Sequence, residues 1–375
     1  MSDYYYLKYL KYKNKYLELK KIEQSGGMTN YCNLPKNSKL FFGSGGSQAI
    51  IALQQDGNAF KYFPLINGVN TPNHSVKQFN KFNKYEIQVI KELTNNVIKP
   101  NLTHHIIKYI NNFKCSESLD NIFKDCPSYN EFLLSKKHSS KKCNLIYRNH
   151  PVNVNHYVNG PMHVLEMEKA EKSLEEKIVK ISKEKWPNIE LFLDKLFFQV
   201  FYTLESIRRV YPNYSHNDLF IRNILVRECK HSKDSYFRYN YKGNVFDVPA
   251  NGLFILFNDF GMNVLTQTLF EQHEMKRKVL KNPYRDYFSI LFDVYNGANL
   301  GGKSLYSLIK NKDKLNKIDK YFNQFMSVKI IKKIIDNKKK VHLDWDWNKI
   351  YDSNFHDLIR LRTKEEFIKY FLKKY

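Results

Sequence analysis

YSHNDLFIRNILV, residues 214–226, sets a short polar run between two apolar ones. His216, Asn217 and Asp218 come first, then an apolar step, then Arg222 and Asn223, and then Ile224, Leu225 and Val226. Upstream, Leu191, Leu193, Leu196, Phe197, Val200, Phe201, Leu204 and Ile207 recur at helical spacing and predict a buried helix over residues 191–211. Downstream, the continuous branched run suits a buried strand. Asp218 and Asn223 therefore fall on a loop between a buried helix and a buried strand. Such a loop is rigidly held and still reachable, which is where chemistry is usually placed.

An Asp and an Asn at this spacing let one side chain address a substrate hydroxyl while the other holds a metal. A second signal follows it in the chain. Asn258-Asp259-Phe260-Gly261 comes directly after the apolar run Leu253–Phe257, again beside a predicted strand. The first motif resembles the catalytic loop of protein kinases, H-R-D-x-x-x-x-N, and the second resembles their D-F-G. The resemblance is to the protein-kinase-like superfamily. Residues 199–218, QVFYTLESIRRVYPNYSHND, are similar to predicted serine/threonine protein kinases of giant DNA viruses of the mimivirus type. It covers most of residues 38–295. It implies an α+β, two-lobed protein-kinase-like fold with a small antiparallel-sheet N-lobe and a mostly helical C-lobe. The implied organisation is a leader at 1–27, an N-lobe at 28–165 with an insertion at about 111–160, and a C-lobe at 166–375.

Length and composition agree with two lobes, since 375 residues suffice for a large core. Lys and Arg total 61 against 37 Asp and Glu, a formal charge of +24. The lysines are spread along the chain and Asn, Ile and Tyr are abundant with them, the mark of an AT-rich coding sequence. The charge therefore reads as solvated surface with a salt-sensitive, non-specific affinity for polyanions, and no specific nucleic acid is predicted. Five cysteines form no C-x-x-C pair, so neither a zinc site nor a disulfide framework is expected, and a reducing compartment fits best. No transmembrane run or signal peptide is visible. The expected location is intracellular, in a host cytoplasm, with packaging in a virion as a further option.

Residues 1–27 alternate Tyr and Leu with Lys and end in Gly26-Gly27. A basic amphipathic helix is expected, either covering the first lobe or making weak contact with a membrane surface or partner. The stretch resembles a Tyr/Lys-rich leader that begins many proteins of giant DNA viruses. Gly43, Ser44, Gly45 and Gly46 lie between apolar runs and suit a hairpin tip whose backbone N–H groups can approach phosphates. Gln48 stands where the kinase loop has its third glycine. Ala59-Phe60-Lys61 resembles the A-x-K that carries the nucleotide-anchoring lysine, and an exposed-face lysine is the bland alternative. Residues 83–99 predict an amphipathic helix with Ile87, Ile90 and Leu93 on its buried side. In the resemblance Glu86 is the carboxylate that steers Lys61, with Glu92 as the rival. His105–Ile110 reads as the next strand, and Asn144–Tyr147 as a possible one in the insertion. His150 and His156 have no ligand spacing. Met162–Glu168 resembles the hinge, with Leu165 behind the adenine and the backbone of Glu166 and Glu168 on its edge. Tyr236–Tyr241 and Asn244–Val248 suggest an extra hairpin. Asp286 resembles the aspartate that opens the central C-lobe helix and braces the catalytic loop.

The resemblance implies phosphoryl transfer with ATP and Mg²⁺ as cofactors and a protein substrate, host or virion, as partner. Asp218 would orient the acceptor hydroxyl and take up its proton, Asn223 and Asp259 would hold Mg²⁺, and Lys61 would hold the phosphates. Three features depart from the family. Asn217 replaces the arginine before the catalytic aspartate, Phe220 stands where many serine/threonine kinases have a lysine, and no A-P-E follows Gly261. Arg222 sits where some tyrosine kinases place an arginine, so it could supply the missing charge; an ion pair with Glu166 or another acid is its bland role. Two other readings stand beside this one. Choline- and aminoglycoside-type kinases also use H-N-D with a downstream asparagine, and a pseudokinase scaffold would bind partners without turnover.

Overall fold

The computed structural model describes residues 39–42, 50–54, 57–64, 76–117, 121–122, 145–147, 150–152, 162–183, 189–227, 236–249, 252–272, 285–296, 305–309, 311–329, 332, 366 and 370. The leader, the tip at Gly43, Ser44, Gly45 and Gly46, and His156 lie outside the described residues. Helices and mainly antiparallel sheets are mixed along the chain, an α+β class. The chain divides into two compact units. One joins Met1–Thr71 to Asn112–Leu165, and the other joins Pro72–Asn111 to Glu166–Tyr375.

The first unit holds β1 (Lys39–Phe42), β2 (Ile50–Leu53) and β3 (Ala59–Pro64). β4 (Tyr109–Cys115) and β7 (Met162–Met167) complete one five-stranded sheet in the order β1-β2-β3-β7-β4. β5 (Leu145–Tyr147) and β6 (His150–Val152) form a separate antiparallel hairpin where the insertion was expected to hold a strand. β2 and β3 pair antiparallel with Ile51 opposite Lys61. β3 reads AFKYFP and is buried on both faces, which accounts for aromatic residues at consecutive positions. Lys61 is buried there at 2% exposure, its Nζ 5.1 Å from the centroid of the Phe63 ring. Cys115 is disulfide-bonded, and every other cysteine lies outside the described residues. The expectation of no disulfide is thus corrected, because disulfide partners cannot be read from cysteine spacing alone.

The second unit begins with α1 (Val76–Leu93), whose last turn widens into a π-helical stretch at Thr94–Ile98. Expected over 83–99, this helix starts earlier. The strand expected at His105–Ile110 is a correction. Ile106 makes a single parallel bridge to Phe257, and the regular strand starts at Tyr109. Side-chain bonding explains the difference. Thr103 Oγ1 accepts from His105 N at 3.1 Å, and His105 Nδ1 lies 2.8 Å from Ile255 O, so the segment is drawn onto a different strand first.

α2 (Leu174–Lys183) opens with a reciprocal cap. Glu176 N donates to Ser173 Oγ at 3.2 Å and Ser173 N to Glu176 Oε2 at 3.0 Å. α3 (Ile189–Val210) is buried around most of its circumference, as its apolar spacing predicts. Phe197 and Phe201 pack against Phe322 and Tyr287 at ring-centroid distances of 5.7 and 5.0 Å. Each such buried ring contributes roughly 1.5–3 kcal/mol. β8 (Lys172–Ser173), β9 (Ile224–Arg227) and β12 (Phe254–Phe257) form a three-stranded sheet with β9 in the middle. The extra hairpin is present as β10 (Tyr236–Tyr241) and β11 (Asn244–Pro249). α4 (Gln267–Gln272), α5 (Arg285–Asn296), α6 (Leu305–Leu308) and α7 (Lys312–Phe322) follow.

Candidate active site

Strand register brings the two motifs together. β9 and β12 pair antiparallel with Ile224 opposite Phe257, so the residue before one strand lies beside the residue after the other. Asn258 N accordingly donates to Asn223 O at 3.0 Å. Gln199 on α3 fixes β12 from outside the sheet. Its Nε2 donates to Leu253 O and its Oε1 accepts from Ile255 N, both at 2.9 Å. A glutamine within an otherwise apolar helix face was the signal for this brace, and only the fold shows what it holds.

The loop from His216 to Asn223 is held at both ends by carboxylates of α5. Asp286 Oδ2 accepts from His216 N at 2.9 Å and Oδ1 from Asn217 N at 3.0 Å. The bracing role expected of Asp286 is therefore present. Arg208 Nη2 lies 3.4 Å from Asp286 Oδ2 and its Nη1 3.4 Å from Glu205 Oε1. At the other end, Asp293 Oδ2 accepts from Ile221 N at 2.6 Å and is 2% exposed. Sequence reasoning missed Asp293. It lies two helical turns after Asp286, on the same face of α5, and that spacing was the available signal.

Asn217 adopts φ 61°, a left-handed conformation that Asn tolerates better than a branched or long residue. Its Oδ1 accepts from Ser215 Oγ at 2.8 Å and its Nδ2 donates to Met262 O at 3.2 Å. The residue in place of the family's arginine thus ties the loop to the segment that follows Asp259. His216 is fully buried and lies against Phe257 and Phe260 at 5.8 and 5.5 Å between ring centroids. Burial lowers its pKa, and its Nε2 faces Asn258 O at 3.2 Å, which assigns the proton of the neutral ring to Nε2.

Asp218 is gripped by Asn223, whose Nδ2 donates to Asp218 Oδ2 at 2.8 Å and to Asp218 O at 2.7 Å. Both bonds use the amide nitrogen, so Asn223 Oδ1 is left as a hard oxygen donor. Arg222 Nη2 lies 3.4 Å from Asp218 Oδ1, and the guanidinium sits 5.0 Å over the Phe220 ring. The acid that Arg222 meets is therefore Asp218. Burial pushes the Asp218 carboxyl up; Arg222 opposes it, Asp259 adds to it, and His216 and Asn223 oppose it. The coupling of Asp218 to Asp259 places the two carboxylates within electrostatic reach of each other.

Asp259 itself adopts φ 60° and ψ 72°, at the entry to the 3₁₀ turn Phe260–Met262. A non-glycine residue held there marks a position where surrounding structure dictates the backbone. Phe260 is fully buried and supplies part of that constraint. A β-carbon placed on Gly261 would lie 3.6 Å from Glu86 Oε2 and 3.9 Å from Asp259 Oδ1. Glu86, 6% exposed on α1, thus points at the turn that carries Asp259. Tyr85 Oη donates to Asn263 O at 2.6 Å and fixes α1 against the same segment.

The second unit by itself thus gathers Asp218, Arg222, Asn223, Asp259 and Glu86. Lys61 belongs to the first unit. Of the residues assigned to the adenine edge, Glu168 is narrowed to its carbonyl. Its N–H donates to Lys108 O at 3.0 Å, and its carboxylate accepts from Lys108 N at 3.0 Å and Arg227 Nη2 at 2.8 Å. Glu166 lies one position before the end of β7, half-buried. The donor set of Asp259 and Asn223, two oxygens without sulfur or imidazole, suits Mg²⁺. Among the described residues no group of three or more His, Cys, Asp and Glu side chains is placed to hold a metal ion, so the pair rests on one carboxylate and one amide oxygen.

A loop carrying an aspartate bonded by an asparagine, with a second aspartate in electrostatic reach of it, resembles the arrangement of protein-kinase-like phosphotransferases. The chain resembles proteins of that kind. It is 26% identical over 336 residues, 82% of either chain, to an Acanthamoeba polyphaga mimivirus protein named "Putative serine/threonine-protein kinase". A second mimivirus protein with the same description is 37% identical over 68 residues, 17% of this chain and 15% of its own. No family model matches the chain.

Proposed function

We propose that the chain is an ATP-dependent phosphotransferase of the two-lobed protein-kinase type, moving the γ-phosphoryl group to Ser or Thr hydroxyls of a protein. One observation carries this reading. Asn223 spends its amide nitrogen on Asp218, which orients the base and leaves the Asn223 oxygen for a metal beside Asp259. The similarity to a mimivirus protein named as a kinase over 82% of either chain supports it. The assigned tasks divide cleanly. Asp218 orients the acceptor hydroxyl and takes its proton at a carboxylate that burial has made more basic. Asn223 and Asp259 hold Mg²⁺, which when bound neutralises phosphate charge. Lys61 and the backbone at Gly43, Ser44, Gly45 and Gly46 hold the phosphates of ATP, and Glu86 steers Lys61. Glu166 N–H or C=O and the Glu168 carbonyl meet the adenine edge. Arg222 sets the basicity of Asp218.

Phosphoryl transfer depends on such positioning and charge neutralisation more than on covalent chemistry. The substrate is a host or virion protein, and the chain acts inside the host cell or within the virion. No described helix is long and apolar enough to cross a membrane. Asn217 and the missing A-P-E keep a small-molecule acceptor as the second reading. The test is a panel of protein substrates, choline and aminoglycosides incubated with Mg·ATP, run alongside thermal melts with Mg·ATP. Transfer to protein Ser or Thr with nucleotide stabilisation supports the reading. Transfer to choline or an aminoglycoside alone moves the acceptor assignment, and no stabilisation with no transfer favours a scaffold.

A further inference from the structure

A second concave site lies in the unit that carries Asp218, and the proposed reaction makes no use of it. It is a cavity of about 490 Å³ between the Asn101–His105 segment, α3 and the β10–β11 hairpin. That volume is typical of a site for one small ligand. Its lining is aromatic, with Phe237 and Phe254 half-buried and His105 and Tyr239 buried against them. The His105 ring lies 4.3 Å from Phe254 and 5.5 Å from Tyr239 between centroids, and Phe237 meets Phe254 at 5.2 Å. Tyr239 Oη and His105 Nε2 are 2.9 Å apart, so these two polar atoms are satisfied by each other.

The rim has the opposite character. No Asp or Glu is among the residues that line the cavity. Arg238 is neutralised from behind by Asp247 through contacts of 2.8 and 3.0 Å. Arg209 and His104 are exposed and have no acidic partner among the described residues. Asn240 spends its Oδ1 on Gly243 N at 3.3 Å, which leaves its amide N–H groups unspent. Arg209, His104 and the Asn240 amide thus offer donors, two of them on basic side chains, in a cavity whose other lining includes Phe237 and Phe254.

We propose that this cavity binds an aryl phosphate, with the ring against the half-buried Phe237 and Phe254 and the phosphate oxygens on Arg209, His104 and Asn240. A guanidinium beside neutral donors suits a tetrahedral oxyanion, and an aromatic lining suits a ring. A free small molecule and a phosphotyrosyl side chain of a peptide present the same chemistry. The lining is also bonded to the strand that ends at the proposed metal site. His105 Nδ1 lies 2.8 Å from Ile255 O, and Phe257 N donates to His105 O at 2.9 Å. Occupancy therefore bears on β12 just ahead of Asp259. The binding claim does not rest on the proposed reaction.

The test is calorimetric titration of the full chain with phenyl phosphate, with inorganic phosphate and phenol as half-ligands and a short phosphotyrosyl peptide as the second source. Wild type and Asp259→Ala are expected to bind phenyl phosphate saturably, at least about tenfold tighter than either half-ligand. Arg209→Gln and Val245→Glu, both exposed substitutions, are expected to weaken it about tenfold or more while leaving the melting temperature unchanged. Tighter binding of the peptide than of phenyl phosphate assigns a protein source, and the reverse assigns a free metabolite. Absence of saturable binding overturns the proposal, as does binding that Arg209→Gln and Val245→Glu leave intact or that Asp259→Ala abolishes.

Discussion

Replacing Asp286 by Asn changes one atom and should reveal how the catalytic loop is held. Asp286 is 1% exposed, and its Oδ2 meets His216 N, Ser215 Oγ and Arg208 Nη2 while Oδ1 meets Asn217 N. An amide has one accepting oxygen, so its NH₂ must face either a backbone N–H or the guanidinium. Each hydrogen bond to a charged group is worth about 1.5–3 kcal/mol, and at least one is lost outright. Arg208 stays buried with Glu205 as its remaining carboxylate at 3.4 Å, which moderates the penalty of a broken buried pair. Asp286→Asn should therefore destabilise the fold by roughly 3 kcal/mol, the lower end for breaking such a pair. In a chain of 375 residues, at about 2.1 cal/mol/K of unfolding entropy per residue, that corresponds to a fall in Tm of roughly 4 °C. The assay is thermal denaturation by circular dichroism, paired with hydrogen exchange at the His216 and Asn217 amides, which should accelerate. A Tm within about 1 °C of wild type and unchanged exchange would refute the brace.

Three further outcomes follow from the same contacts. Asp293→Leu removes the acceptor for Ile221 N, so exchange at that amide should rise and turnover fall about tenfold or more, whereas Asp293→Asn keeps an acceptor and should restore most of both. Burial lowers His105 from about 6.5 to about 4, so the unfolded chain binds a proton between those values that the fold refuses. Stability should be fully present above pH 6.5 and lost as the pH falls towards 4, by up to about 3 kcal/mol, and denaturant titrations of His105→Gln should show a flatter dependence. Arg222 holds the Asp218 carboxyl down against its burial, so Arg222→Ala should move the acidic limb of the kcat/KM profile to higher pH; a limb that stays in place would separate the two residues.

Much of the second unit was legible in the sequence because its elements announce themselves locally. The helix at 191–211 is observed at Ile189–Val210, and the strands flanking both motifs fall at Ile224–Arg227 and Phe254–Phe257. The hairpin expected at 236–248 forms at Tyr236–Pro249, since alternating Tyr and polar residues around Lys242-Gly243 encode a tight turn. Asp218, Asn223 and Asp259 were singled out by spacing and by the resemblance, and the β9–β12 register brings the segments that carry them side by side. What could not be read depends on pairings that no local pattern carries. Thr103 and the His105 ring redirect a strand-like segment onto β12, and Asp293 and Gln199 act through backbone groups far along the chain. The engagement of the Glu168 N–H by Lys108 and the disulfide at Cys115 are likewise properties of pairing.

The most direct measurement is transfer of label from γ-³²P-ATP with Mg²⁺ by the purified wild type and by Asp259→Ala, with phosphoamino-acid analysis of the product. Labelled phosphoserine or phosphothreonine from wild type, reduced at least about 100-fold in a folded Asp259→Ala protein, is the predicted result. Equal transfer by the two proteins, or none by wild type across the substrate panel, would contradict the assignment of Asp259 and Asn223 as the metal-holding pair of a phosphotransferase.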